Sequence, residues 1–161
     1  MDSDMPLDAE RILEVLAEHG VEYVIVGGLA VQTHGHVRTT VDIDVFPLPE
    51  QANLGRLADA LNALDAKVLN PGSEGLKIDA KMLPRATLWQ FATAHGAIDV
   101  LHDAPGAPSY GDLRERALEI RLGKLTLAVA GLDDLVGMKR ASARRVDLED
   151  IAALAELDAP E

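Results

Sequence analysis

Apolar residues recur at helical spacing over residues 8–19, where Ile12, Val15, Leu16 and His19 share a stripe and Gly20 stops the run. The pattern then changes. A short β-branched run over residues 22–26 predicts a strand, residues 29–34 a short helix, and residues 40–46 a second strand closed by Pro47 and Pro49. Residues 50–64 return to the helical period, with Leu54, Leu57, Ala58, Leu61 and Leu64 on one face, and residues 70–75 read as a loop. Strand formers over 87–93 and 97–101, separated by Ala94, His95 and Gly96, predict an antiparallel hairpin. A Pro/Gly loop over 103–111, a short helix over 112–117 and a strand over 124–130 follow. The C-terminal part predicts two helices, over 131–143 and 146–157, joined by Arg144 and Arg145.

The second strand interrupts this pattern with charge. Alternation sends Val41, Ile43 and Val45 to the core and sets Asp42 and Asp44 together on the opposite face. Two like charges side by side need compensation. A divalent cation supplies it, because hard oxygen ligands suit magnesium or manganese, and paired carboxylates beside a phosphate-sized turn are the parts of a phosphoryl or nucleotidyl transfer site. The turn in question is Gly27 and Gly28, which end the first strand and open the following helix. Without a Cβ each lets the backbone approach a ligand, and amides at a helix start bind anions.

Other residues join on the same logic. Asp99 interrupts the apolar run Ala97-Ile-Asp-Val-Leu101, a costly setting for a carboxylate unless it is paired, hydrogen-bonded or metal-bound. If its strand neighbours that of Asp42, three carboxylates converge. Its bland alternative is an edge-strand acid facing solvent. Lys139 falls on the stripe of Leu132, Leu135 and Val136, so an inward-facing ammonium would need a phosphate or a carboxylate as partner; otherwise its stem lies along the apolar face with the head in water. Arg38, Thr39 and Thr40, just before the acidic strand, are candidates for triphosphate oxygens. Asp147 and Asp150 read first as helix caps. His34, His36, His95 and His102 lie near these segments, but an Asp-x-Asp pair already supplies magnesium-type ligands, and lone histidines are more often structural. Ser73, Ser109 and Ser142 show no activated-nucleophile motif.

Composition narrows the classes. At 161 residues and 48% apolar content, one domain spanning 1–161 is expected, with residues 131–161 as a C-terminal helical extension. The absence of cysteine excludes disulfides and thiolate chemistry and fits a reducing compartment. With no apolar run of leader or membrane-spanning length, a soluble, cytoplasmic protein is expected. A net charge of −12 argues against a surface that holds long nucleic acid non-specifically. Lys139, Arg140, Arg144 and Arg145 form a local basic run, read equally well as compensation of a helix dipole or as an RNA or phosphate contact.

Taken together, Gly27-Gly28 and Asp42-x-Asp44 resemble the mark of the DNA polymerase beta-like nucleotidyltransferase superfamily, a Gly-Gly or Gly-Ser turn followed by Asp-x-Asp or Asp-x-Glu on the next strand. Gly27-Gly-Leu-Ala-Val-x-x-His-Gly-x-x-Arg-x-Thr-x-Asp-Ile-Asp44 is similar to its small prokaryotic branch, which includes abortive-infection and tRNA-modifying toxins. Asp99 resembles the family's third carboxylate, and residues 133–141 with 147–151 look like its closing helices. The resemblance touches residues 20–155 and implies an α/β (α+β) nucleotidyltransferase fold, a mixed β-sheet flanked by helices.

It also implies a mechanism. Asp42 and Asp44 bind a magnesium or manganese ion that bridges a nucleoside triphosphate, the co-substrate, while Gly27 and Gly28 place amides against the phosphates. Asp99 shares a second metal ion and helps deprotonate an acceptor hydroxyl, and Lys139 offsets developing charge. Family members modify tRNA ends, proteins or small molecules, so a tRNA, a partner protein or a toxin-antitoxin partner are all open as acceptor or binding partner. The chain departs from many RNA-modifying relatives in being short, acidic and without a large helical domain, which weakens a tRNA acceptor. Two other readings stay open: a non-catalytic binding partner or antitoxin on the same fold, and an unrelated metal-dependent phosphohydrolase.

Overall fold

The computed structural model describes residues 8–35, 42–102 and 108–142. Its first helix, α1 (Ala9–Glu18), is capped by Asp8, whose carboxylate accepts the Arg11 amide at 3.2 Å. The helix buries the stripe Ile12, Leu13, Val15 and Leu16. Strand β1 (Tyr23–Val26) leads without a loop into α2 (Gly27–Thr33), so the helix opens at Gly27 itself, two residues earlier than the apolar pattern indicates. The positive φ of Gly27, +70°, makes this abrupt change of direction and costs little only because glycine has no Cβ. Strand β2 (Asp42–Pro47) and helix α3 (Gln51–Ala63) match the expected period closely.

After α3 come the two-residue strand β3 (Lys67–Val68), a single 3-10 turn at Leu83–Arg85, and the hairpin β4 (Leu88–Thr93) and β5 (Gly96–Leu101). Helix α4 (Tyr110–Glu115) is capped by the Ser109 hydroxyl, and it precedes the hairpin β6 (Leu118–Leu122) and β7 (Leu125–Val129). Helix α5 (Leu132–Ser142) packs on α2. The sequence reading identifies neither β3 nor β6. Two residues are too few to show a period in β3, whereas Leu118-Glu-Ile-Arg-Leu122 alternates apolar and polar residues at the strand period, a signal that reading passes over, and it pairs with β7 across the tight Gly123 turn (φ +61°). The expected second C-terminal helix, over 146–157, lies outside the described residues.

The strands form one mixed sheet in the order β3-β4-β5-β2-β1-β7-β6. Pairing is parallel between β2 and β5 and between β1 and β7, and antiparallel elsewhere. On one face Ile43, Val45, Ile98, Val100, Trp89 and Phe91 are buried, and with the apolar stripes of α1 and α3 they build the core. A polar residue helps fix this layer. Asn53 on α3 is fully buried, accepts the Glu22 amide and donates to the carbonyls of Glu22 and Leu48, so it ties the start of β1 to the end of β2. No helix among the described residues is long and apolar enough to cross a membrane.

Candidate active site

The parallel pairing of β2 with β5 decides the site. It sets Asp44 directly opposite Asp99 and Asp42 opposite Ala97, and directly paired residues present their side chains on the same face. Carboxylate oxygens of Asp42, Asp44 and Asp99 lie within 4.8 Å of one another. Asp99 is buried, at 8% exposure, and Asp42 and Asp44 are half-buried. The edge-strand alternative for Asp99 is therefore excluded: β5 lies inside the sheet, between β4 and β2.

Burial and mutual repulsion make this a strained electrostatic cluster. Desolvation first, then the charges of Asp44 and Asp42, push the Asp99 carboxyl from its ordinary 3.8 to about 9, and a proton it shares with the neighbouring carboxylates supports the neutral form. Asp44 rises to about 6, again mainly from burial and then from Asp42. The Asp99 hydrogen bond, the Lys139 charge and the Gly28 amide pull it back. Three oxygen donors that repel one another at this spacing, with no sulfur among them, fit a hard divalent cation such as magnesium or manganese.

Two further expected residues close on the same point. Lys139 is 6% exposed, on the inner stripe of α5, and its ammonium is near enough to Asp44 to favour the charged form of that carboxyl. Gly27 stands against Asp44: a Cβ built there would lie 1.8 Å from Oδ2. The Gly28 N–H donates to Asp44, which places one of the two glycine amides on a site carboxylate. Arg38, Thr39 and Thr40 lie outside the described residues, as do His36, Asp147 and Asp150.

The remaining histidines have other tasks. The His34 ring Nε2 is 3.0 Å from the Ala130 carbonyl, tying α2 to the end of β7, and His95 pairs with Asp8 at 3.9 Å. His102 is buried just after β5. Sequence reasoning passed over Gln90, which β4 sets directly opposite Asp99 on the site's face; only the sheet register identifies it.

The family model described as "Nucleotidyltransferase of unknown function (DUF6036)" matches residues 7–158. No curated protein matches the sequence. Among solved structures, the lincosamide antibiotic adenylyltransferase LnuA, lincomycin-bound, is 15% identical with a TM-score of 0.62, covering 94% of this chain and 99% of its own. ANT(2'')-Ia in complex with adenylyl-2''-tobramycin is 13% identical with a TM-score of 0.55, covering 91% and 85%. An antigenic nucleotidyltransferase-like protein from Paracoccidioides brasiliensis is 14% identical with a TM-score of 0.52, covering 97% and 80%. At these identities the likeness is one of fold, and it agrees with the mixed sheet and flanking helices described above.

Proposed function

This chain belongs to the DUF6036 family of nucleotidyltransferases, and from that premise we propose that Asp42, Asp44 and Asp99 hold a magnesium or manganese ion while a nucleoside monophosphate moves from a nucleoside triphosphate to a hydroxyl acceptor. The observation that carries this reading is the convergence of the three carboxylates, within 4.8 Å, on two strands in fixed register. When bound, a divalent ion neutralises triphosphate charge and makes the α-phosphorus more open to attack.

The other tasks fall to the chain. Gly27, lacking a side chain, leaves room for the Asp44 carboxylate, and the role the sequence offers Arg38, Thr39 and Thr40 is contact with the triphosphate oxygens. Asp99, ionised once a divalent cation on the three carboxylates offsets their repulsion, takes the proton of the acceptor hydroxyl. The acceptor oxygen bonds to the α-phosphorus as the bond to pyrophosphate breaks, and pyrophosphate leaves. Lys139, beside Asp44, offsets the negative charge that grows in this step.

A small-molecule acceptor is favoured by the antibiotic ligands named for LnuA and ANT(2'')-Ia. A tRNA acceptor would need cationic surface. The sequence's candidate for that is the run from Lys139 to Arg145, of which Lys139 is buried near Asp44, Arg140 is exposed, and Arg144 and Arg145 lie outside the described residues. A toxin-antitoxin role rests on the family resemblance alone. The test is incubation of the purified chain with each α-labelled triphosphate, magnesium or manganese, and a cell extract, with an Asp42→Ala control. Metal-dependent label in an acceptor, absent from the control, supports nucleotidyl transfer. No transfer by folded protein under any of these conditions returns the non-catalytic binding reading.

A further inference from the structure

We infer that the exposed face of β4 beside Asp99, formed by Gln90 with Leu69 and Leu88, is the acceptor platform, and that it takes a small uncharged or cationic molecule whose reactive hydroxyl sits on a partly apolar body. This rests on the nucleotidyl-transfer reading. Its basis is the register of four adjacent strands. Asp44 pairs with Asp99, Asp99 with Gln90, and the Leu69 amide continues the β3 ladder by donating to the Gln90 carbonyl at 2.8 Å. These residues form one row on one face of the sheet. At a strand spacing of about 4.8 Å, the row runs from the carboxylates to Gln90 one strand away and Leu69 two strands away. Leu88, two residues before Gln90, shares this face and pairs with Leu101.

The two faces of β4 contrast sharply. Trp89 and Phe91 point into the core at 5% and 0% exposure, whereas Leu69 and Leu88 stand 53% and 39% exposed on the carboxylate side, with Gln90 exposed between them. Large aliphatic side chains left in water next to a reactive cluster mark a place that a ligand covers. Gln90 adds an amide that both donates and accepts, as orientation of a hydroxyl or amine requires. Charge complementarity selects the occupant. Among the described residues, the anions Asp42, Asp44 and Asp99 outnumber the cations of this face, Lys139 near Asp44 and Lys67 three strands from Asp42. With the triphosphate's charge met by the divalent ion it enters with, the net acidic surface left toward Gln90 disfavours a polyanionic acceptor and accepts a neutral or cationic body.

The experiment uses the full chain. Calorimetry with an α,β-methylene triphosphate reads nucleotide binding, and α-labelled triphosphate with cell extract reads transfer. Label should appear in the small-molecule fraction, retained on a reversed-phase column. For the labelled compound, once purified, Leu69→Glu and Leu88→Glu should each raise KM about tenfold through lost apolar contact. The methylene triphosphate should bind these variants as it binds the wild type. Leu118→Glu and Leu122→Glu, exposed on β6 at the other sheet edge, should change neither quantity. Thermal melts check that all four fold. Label in RNA or protein, or a KM that neither platform variant moves, overturns the platform while the nucleotide site stands. A wild-type chain that does not bind the triphosphate overturns the nucleotidyl-transfer reading, and the platform with it.

Discussion

Strand β2 has two faces that do opposite things. Ile43 and Val45 are fully buried against the core, each removing apolar surface from water for about 2 kcal/mol. One residue away on either side, Asp42 and Asp44 crowd like charges onto Asp99, and burial raises the cost. The first face stabilises, the second destabilises, and they cannot be separated because the strand that carries one fixes the position of the other. The apolar face leaves the strand no alternative register: a slip of one residue would bury both aspartates and expose Ile43 and Val45.

Substitutions on the two faces should therefore fail in different ways. The largest effect belongs to the charged face: Asp42→Ala or Asp44→Ala should lower labelled-nucleotide transfer by about 10⁴-fold, roughly 5 kcal/mol of transition-state stabilisation, while metal-free protein melts no lower than the wild type because a crowding charge is gone. Retained transfer in both would remove these carboxylates from the chemistry. Next comes the apolar face, where Ile43→Ala should cost about 3 kcal/mol in denaturant unfolding and reduce activity only in proportion to the unfolded fraction. Gly27→Ala joins the two. A Cβ at 1.8 Å from Asp44 Oδ2 must displace that carboxylate, so metal-dependent stabilisation should weaken while the rest of the sheet still folds.

A smaller effect reads the electrostatic cost directly. Folded Asp44 and Asp99 hold protons more tightly than the unfolded chain, at about 6 and about 9 against an ordinary 3.8. Their contribution to stability is complete below about pH 4 and is lost as pH rises through 6 and then 9. Metal-free protein should melt at falling temperature across this window, Asp99→Asn should flatten the fall, and magnesium or manganese should oppose it most at the alkaline end. A melting temperature independent of pH from 5 to 9 would contradict the crowding. The smallest effect is expected far from both faces: Asp8→Ala removes the α1 cap, about 1 kcal/mol, and should leave transfer untouched.

Much of this was legible in the residues. The alternation Asp42-Ile43-Asp44-Val45 announced a strand with one charged face, the apolar stripes announced α1 and α3, and the Gly27-Gly28 turn marked a close approach that the structure places against Asp44. Less was legible at the sheet's margins. Strand β3 is two residues long and carries no period of its own, whereas β6 alternates Leu118, Ile120 and Leu122 with Glu119 and Arg121, a short strand signal that the sequence reading passes over. The helix boundary at Gly27 was displaced because glycine reads as a turn while its positive φ here launches a helix.

By itself the sequence determined which residues carry charge, which faces are apolar and which candidates suit a divalent cation, because these follow from side-chain chemistry and from periods of 2 and 3.6 residues. Tertiary structure decided what stands beside what. Parallel pairing of β2 with β5 brought Asp99 opposite Asp44, α5 delivered Lys139 to the same carboxylate, and antiparallel pairing of β4 with β5 aligned Gln90 with Asp99. The first two contacts join segments far apart in the chain, and no local periodicity encodes the strand order and register that create them; the third lies inside the predicted hairpin, where the turn sets the register.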